Sequence, residues 1–119
     1  VYGHLDYVVR YGPTRNENYR WMDYQDVIDE ILRQLIARGE GIEINTGGFK
    51  YGLGHPNPTE GIIRRYRELG GEIITLGADA HAPEHVGYDF EKVPGILKDA
   101  GFSYFTVFRR RKPEFVKIP

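Results

Sequence analysis

Residues 73–81 read Ile-Ile-Thr-Leu-Gly-Ala-Asp-Ala-His, and this stretch decides the fold. A short apolar run bounded by turn residues is typical of a β-strand that is buried on both faces, as in parallel sheets. The run leads into Asp79 and His81, whose side-chain types bind metals and act as general bases. Because α/β proteins place such residues at the carboxyl ends of their strands, the stretch predicts a central strand with a chemical site at its end.

Three other apolar runs predict neighbouring strands, and an amphipathic pattern predicts a helix in each interval between them. The predicted strands lie in residues 1–9, 41–45, 73–76 and 104–108, and the predicted helices lie in residues 24–36, 57–69 and 90–100. Because strands that alternate with helices pair in parallel through right-handed crossovers, we predict an α/β fold. A closed (β/α) barrel takes about 250 residues, so a chain of 119 residues suits one domain with an open sheet or about half of a barrel.

Capping residues predict where the first two helices begin and end. Asp23 is the predicted N-cap of the first helix, and Gly39 follows its last turn. Asn57 is the predicted N-cap of the second helix, with Pro58 at the first helical position and Glu60 where its side chain can reach back to the cap.

The composition bounds the function. Sixteen Lys and Arg residues against seventeen Asp and Glu residues leave a net charge of −1, which favours neither nucleic acid nor an anionic membrane as a partner. With no Cys, a metal would be held by imidazole and carboxylate groups, and a cytoplasmic location is expected. No apolar run reaches the roughly 18 residues of a membrane helix. Because the sequence opens at Val1 within a predicted strand, we expect a piece of a longer protein.

Polar side chains follow each of the first three predicted strands. They are His4 and Asp6, then Asn45 and Thr46, then Asp79 and His81. Because the carboxyl ends of parallel strands share one edge of a sheet, these residues are expected to lie together. Arg10 and Lys50 follow the first two strands closely and are suited to an anion at the same edge. Taken singly, each of these residues could equally be a hydrogen-bonded side chain that only stabilises the fold. Their recurrence at the ends of successive strands indicates a site.

Other polar features point less clearly to chemistry. His55 and His85 lie in polar loops and are interpreted as solvated side chains. The basic run at residues 109–112 is interpreted as a solvated edge, because the total charge is balanced. The glycines in residues 45–48 match neither a dinucleotide fingerprint nor a P-loop, which argues against a nucleotide site.

Three motifs occur in a fixed order along the chain. They are Gly-His-Leu-Asp at residues 3–6 with Arg-Tyr-Gly at 10–12, Glu-Ile-Asn-Thr-Gly-Gly at 43–48, and Gly-Ala-Asp-Ala-His at 77–81 with Pro83 and Val86-Gly87. Together they resemble the C-terminal half of the polymerase-and-histidinol-phosphatase superfamily, and most closely its histidinol-phosphatase branch. The resemblance implies about half of a distorted, TIM-like (β/α)7 barrel, residues 1–119 being the C-terminal part of one domain. It also implies a multinuclear centre of Zn, Fe or Mn.

The resemblance assigns roles to five residues. It implies that His4, Asp79 and His81 are metal ligands, with Asp79 and His81 counted as catalytic. It implies that Arg10 and Lys50 bind the substrate phosphate, although Lys50 stands where an arginine is expected, which weakens a bidentate grip. No role carries over to the loop histidines. The opening His-x-His motif of the family and the ligands that follow it are expected ahead of Val1.

The leading hypothesis is a metal-dependent phosphomonoesterase that hydrolyses the small molecule L-histidinol phosphate in histidine biosynthesis. Metal-bound hydroxide would attack phosphorus, and neither nucleic acid nor a membrane is an expected partner. A second hypothesis is a non-catalytic half-barrel that associates with itself or with the missing N-terminal part, because exposed strand edges invite pairing. A third hypothesis is another phosphoesterase of the same superfamily.

Overall fold

The computed structural model describes all of residues 1–119 and contains four α-helices and four β-strands. In chain order these are α1 (Gln25–Ala37), β1 (Ile42–Asn45), α2 (Gly47–Lys50), α3 (Glu60–Glu68), β2 (Ile74–Gly77), α4 (Val93–Asp99), β3 (Tyr104–Arg109) and β4 (Lys112–Lys117). Short 3-10 helices occupy Tyr7–Arg10, Trp21–Tyr24, Pro83–His85 and Phe90–Lys92. None of the helices has both the length and the apolar character needed to span a bilayer.

A parallel strand pair forms the centre of the fold. β1 pairs with β2, and Ile42 lies opposite Ile74. On the other edge of β1, Tyr2 forms a single parallel bridge to Ile42. The strand predicted in residues 1–9 is therefore reduced to one bridge, and the chain enters a 3-10 helix at Tyr7.

Apolar side chains of α1, α3 and α4 cover this strand pair. Residues of α1 and α3 that recur at three- and four-residue steps face inward, as expected of amphipathic helices. The buried core consists of Ile28, Leu32, Leu35, Ile42, Ile44, Ile62, Ile63, Tyr66, Ile74, Val93, Leu97, Ala100, Phe102 and Ile118. Both Ile42 and Ile44 are fully buried, which agrees with the prediction of strands that are covered by the rest of the fold.

The starts of two helices differ from the predicted ones. The N-cap of α1 is Tyr24, and Asp23 lies in the 3-10 turn before it. The N-cap of α3 is Thr59, so the prediction of Asn57 as a cap is wrong. Asn57 is fully buried two residues earlier, where its amide has stronger hydrogen-bonding partners than a helix end, as described below.

The last part of the chain departs most from the prediction. β3 forms an antiparallel hairpin with β4 instead of extending a parallel sheet. The turn residues Arg110 and Arg111 have φ angles of +49° and +66°, the conformation of a two-residue hairpin turn. Such turns are usually marked by Asn-Gly or Asp-Gly, so this basic run carries no turn signal. Thr106 Oγ1 accepts a hydrogen bond from the backbone N–H of Ile74 at 3.2 Å, which joins the hairpin to β2.

The predicted mixed α/β fold, with parallel strands alternating with helices, is confirmed. The prediction of one four-stranded parallel sheet is wrong, because parallel pairing is limited to β1, β2 and the bridge at Tyr2. The molecule is compact, with a radius of gyration of 13.8 Å. Its interpretation as half of a barrel stays a prediction.

Candidate functional site

A buried arginine lies at the carboxyl ends of β1 and β2. The side chain of Arg10 is 0% exposed, and each of its three nitrogen atoms donates a hydrogen bond to a different segment. Nε donates to Asn57 Oδ1 at 2.6 Å, and Nη2 donates to Asn45 Oδ1 at 3.0 Å. Nη1 donates to Asp79 Oδ2 at 2.6 Å. Because a guanidinium is always charged, its burial requires acceptors of this kind.

Two amide side chains connect Arg10 to further carboxylates. The Nδ2 of Asn57 donates to Asp6 Oδ1 at 2.6 Å, and the Nδ2 of Asn45 donates to Glu43 Oε2 at 3.0 Å. The guanidinium thus has an amide and then a carboxylate on each of two sides, and a direct carboxylate on the third. We call these residues the Arg10 frame: Arg10, Asp6, Asn57, Asn45, Glu43 and Asp79.

Small and aromatic neighbours allow the frame to pack closely. A Cβ atom at Gly47 would lie 2.9 Å from Arg10 Nη2, so a larger residue would displace the guanidinium. The ring centroids of Tyr7 and Tyr51 lie 5.4 Å and 4.9 Å from Arg10 Cζ, within the range of cation–π attraction. These rings pack against the guanidinium.

Asp79 links the frame to the candidate metal ligands. It has a φ angle of +50°, a backbone strain that is typical of functional sites. Burial acts to raise the pKa of Asp79, but the hydrogen bond and charge of Arg10 outweigh burial and hold that pKa below its usual range. The other oxygen, Oδ1, lies 3.5 Å from His81 Nε2. Asp79 therefore presents an ionised oxygen that Arg10 does not use.

Lys50 lies beside the backbone of Asp79. It is the last residue of α2, and its Nζ lies 3.4 Å from the backbone oxygen of Asp79. Thr46 lies between β1 and α2 and connects the end of β1 to the end of β2, because its N–H donates to Gly77 O at 2.8 Å. Its hydroxyl donates to Tyr88 O at 2.5 Å, in the loop that follows β2. The structure thus brings Arg10, Lys50 and Asp79 together.

The two candidate histidine ligands are less closely held. His4 Nδ1 lies 3.9 Å from Glu43 Oε2, and the His4 side chain is 39% exposed. His81 is 79% exposed. Their donor types suit zinc, but no group of three or more His, Asp or Glu side chains converges as a metal site would require. The candidate donors therefore form two pairs, His4 with Glu43 and Asp79 with His81, and not a complete coordination sphere.

The charge balance of the site favours a cation. Three carboxylates, those of Asp6, Glu43 and Asp79, stand against the two positive charges of Arg10 and Lys50. With neutral histidines, one negative charge is left over. A bound divalent metal would reverse this sign and allow an anion to bind beside Arg10.

Sequence and structure comparisons agree on one group of relatives. The chain is 40% identical to a probable histidinol-phosphatase of Thermotoga maritima over 105 residues, which cover 87% of this chain and 42% of that protein. It is 33% identical to the histidinol-phosphatase of Lactococcus lactis over 114 residues, which cover 93% of this chain and 41% of that protein. The chain is related to the histidinol phosphatases. No protein-family model matches it.

A solved structure of a histidinol phosphatase has the same fold over nearly the whole chain. The crystal structure of the Lactococcus lactis histidinol phosphate phosphatase, complexed with zinc, L-histidinol and phosphate, matches with a TM-score of 0.77 and 30% identity. The match covers 95% of this chain and 43% of that protein. The chain thus spans about two-fifths of the length of the histidinol phosphatases that it matches.

The two loop histidines do not join the Arg10 frame. His55 donates through Nδ1 to Pro56 O at 2.7 Å, and its ring lies 6.3 Å from that of Tyr19. His85 packs edge-on against Tyr88 with 6.2 Å between ring centroids. The interpretation of His55 as a solvated side chain is wrong, because its Nε2 is buried without a hydrogen-bond partner. His85 is half-buried against Tyr88.

Sequence reasoning missed two members of the frame. Asn57 precedes a proline, and this local pattern is typical of a helix cap. It gave no sign that Asn57 hydrogen-bonds Arg10 and Asp6. Glu43 offered a usable signal, because a carboxylate within the apolar strand Ile42–Asn45 must find a polar partner when it is buried. A Cβ at Gly77 would clash with the Glu43 carboxylate. The glycine on β2 therefore makes space for the Glu43 side chain of the neighbouring strand.

Proposed function

We propose that this chain forms the phosphate-binding and part of the metal-binding portion of an enzyme that hydrolyses L-histidinol phosphate to histidinol and phosphate. The reaction would belong to histidine biosynthesis. The observation that carries the proposal is that Arg10 contacts the carboxylate of Asp79 and Lys50 contacts its backbone oxygen, at one edge of the strand pair. The Lactococcus lactis relative whose structure contains zinc, L-histidinol and phosphate supports it.

Arg10 and Lys50 would neutralise the charge of the substrate phosphate. Arg10 donates through Nε, Nη1 and Nη2 to acceptors within the protein, and one N–H on each Nη atom is left over. Because the Arg10 side chain is fully covered, a phosphate oxygen would reach these N–H groups only when the covering ring of Tyr7 or Tyr51 moves aside. The Nζ of Lys50 would add a point charge at the same place. Because protein groups hold Arg10 before the ligand arrives, little side-chain entropy would be lost on binding.

His4, Asp79 and His81 would supply ligands to a divalent metal centre. We propose a multinuclear centre of zinc, iron or manganese whose remaining ligands belong to the part of the relatives that this chain does not cover. When bound, such metals supply a low-pKa water and polarise the phosphoryl group. Asp79 would direct its free Oδ1 to the metal while Arg10 holds Oδ2. The chain would then be the C-terminal part of a distorted (β/α)7 barrel.

The test of this function is phosphate release in a chimera. The 119 residues replace the matching segment of the Lactococcus lactis histidinol-phosphatase, and release of phosphate from L-histidinol phosphate is measured with added Zn²⁺. We expect turnover by the chimera and its loss in the same chimera with Asp79→Ala. A folded chimera that binds zinc but releases no phosphate would contradict the proposal, as would full turnover with Asp79→Ala.

A second candidate function is that of a non-catalytic interaction module. It is favoured by exposed apolar side chains near the start of the chain, where two surface cavities share Leu5 and Val8. Val8 is 73% exposed and Val27 is 63% exposed, and patches of this kind often mark interfaces. The chain would bury these side chains against another copy or against the remaining part of a barrel.

Light scattering distinguishes this module from an isolated monomer. We expect the native chain to associate at micromolar concentration and Val8→Lys to dissociate it. Val86→Lys is the matched control, because Val86 is 76% exposed and lies outside both cavities. A strictly monomeric native chain would exclude association with itself.

A further inference from the structure

We infer that Asp6 and Asn57 are positioning residues that set the orientation of the Arg10 guanidinium, an inference that rests on the proposed phosphate-binding role of Arg10. Nothing in the similarity to the histidinol phosphatases assigns a role to either residue. Both are buried: Asp6 is 6% exposed and Asn57 is 0% exposed. Two hydrogen bonds of 2.6 Å connect Asp6 to Asn57 and Asn57 to Arg10.

The polarity of this relay allows one orientation of the amide. Arg10 Nε can only donate, and the Asp6 carboxylate can only accept. The Asn57 side chain must therefore direct its oxygen to Arg10 and its nitrogen to Asp6. An aspartate at position 57 would keep the acceptor for Arg10 but place two carboxylates against each other. An asparagine at position 57 is thus the residue type that satisfies both neighbours.

Asp6 is itself anchored on its far side. Its Oδ2 accepts a hydrogen bond from the backbone N–H of Thr59 at 2.9 Å and one from the hydroxyl of Tyr19 at 3.0 Å. Burial, followed by the Asp6 charge, raises the pKa of Tyr19 well above its usual range, so the hydroxyl stays a donor. Thr59 is the N-cap of α3. The relay therefore ties Arg10 to the start of a helix that packs in the core.

The contact at Nε fixes what the other two nitrogen atoms can reach. A guanidinium is planar and rigid, so holding Nε against Asn57 restricts the rotation that carries Nη1 and Nη2. Nη1 then meets Asp79, and the unused N–H groups keep a fixed direction for an incoming oxygen. Without the relay, Arg10 would keep its charge, but the contact at Nε would no longer hold its guanidinium in one orientation.

Exchanging the two side chains tests the relay. Asp6→Asn places an NH₂ group against another donor, either the Asn57 amide or the Thr59 N–H and Tyr19 hydroxyl, and Asn57→Asp sets two carboxylates in contact. In the double variant, the amide at position 6 donates to the carboxylate at position 57, which accepts from Arg10 Nε with its other oxygen. The oxygen of that amide still accepts from Thr59 and Tyr19. Every hydrogen bond of the relay is thereby restored with its partners exchanged.

The readout is hydrogen exchange of the Arg10 Nε–H, followed by NMR in the 119-residue chain. We expect exchange to be about tenfold faster in each single variant, the factor that corresponds to one charge-assisted hydrogen bond. The double variant is expected to return to the native rate. Single variants with the native rate, or a double variant no slower than the singles, would overturn the inference.

The internal control is Arg65, whose Nε donates to Asp29 Oδ1 at 2.8 Å on another part of the surface. Its exchange rate is expected to stay native in all variants; equal acceleration at Arg65 would mean general loosening of the fold and would overturn a positioning role. Inorganic phosphate separates this inference from the proposed function. If phosphate leaves the native Arg10 signal unchanged, the phosphate-binding role fails, while the exchange rates still decide the positioning role.

Discussion

The two sides of the candidate site differ in how completely their polar groups are paired. On one side, Arg10 is fully buried and donates three hydrogen bonds of 3.0 Å or less to the protein. On the other side, His4 and His81 stay 3.9 Å and 3.5 Å from their nearest carboxylates and are substantially exposed. These 119 residues therefore hold the Arg10 guanidinium in one place before any ligand binds and leave the two imidazoles without a close partner in the protein.

The largest effect is expected at Asp79, which belongs to both sides. In the chimera described above, Asp79→Ala is expected to lower kcat/KM by about a thousandfold or more, because the proposed metal ligand would be lost and with it several kcal/mol of transition-state stabilisation. Asp89→Ala is the matched control. Asp89 also has a left-handed backbone, with φ of +56°, and holds one basic side chain, Lys92, at 2.7 Å. Equal losses in the two variants would contradict a special role for Asp79.

A charge-conserving change at Arg10 measures how much the three hydrogen bonds of its guanidinium stabilise the fold. Arg10→Lys keeps the charge but cannot reach three acceptors, so we expect the free energy of unfolding to fall by about 2–4 kcal/mol. Arg109→Lys is the control, because the Arg109 ion pair with Glu114 lies in solvent with the two side chains 75% and 50% exposed, where such pairs contribute about 0–1 kcal/mol. Urea unfolding gives the decrease in the free energy of unfolding for both variants. Equal decreases would contradict a special contribution of the buried Arg10 hydrogen bonds.

The acid sensitivity of the fold follows from the lowered pKa of Asp79. A carboxyl whose pKa is lower in the folded protein than in the unfolded chain stabilises the fold above its unfolded pKa, and that stabilisation is lost as the pH falls through the folded pKa. We therefore expect Asp79→Asn to flatten the loss of stability below about pH 4. Urea unfolding at a series of acidic pH values checks this. An unchanged slope would mean that Arg10 does not favour the ionised form.

The smallest effect on stability is expected at the unpaired side. His81→Ala should change the free energy of unfolding by less than about 0.5 kcal/mol, because the side chain is mostly in solvent. In the chimera, the same change should weaken Zn²⁺ binding by about tenfold or more, because the proposed imidazole ligand would be lost. His85→Ala is the control. Calorimetric zinc titration distinguishes them, and identical affinities would remove His81 from the ligand set.

Local patterns predicted the elements that local interactions determine. The helix α1, the buried strands β1 and β2, and the gathering of Arg10, Lys50 and Asp79 at one strand edge all follow from periodicity and from the rule that parallel strand ends meet. Asn57 could not be found in this way, because its partners Asp6 and Arg10 lie far away in sequence. The hairpin of β3 and β4 was missed because arginines occupy turn positions that usually carry Asn and Gly.

The most direct test of the central claim is calorimetric binding of inorganic phosphate, the reaction product, to the chimera described above in the presence of Zn²⁺. If Arg10 and Lys50 form a phosphate site, the chimera binds one equivalent, Lys50→Ala weakens binding by about tenfold through loss of one charge contact, and Lys98→Ala on α4 leaves it unchanged. Absence of phosphate binding by the zinc-loaded chimera, or equal affinity of the chimera with and without Lys50→Ala, would contradict the account.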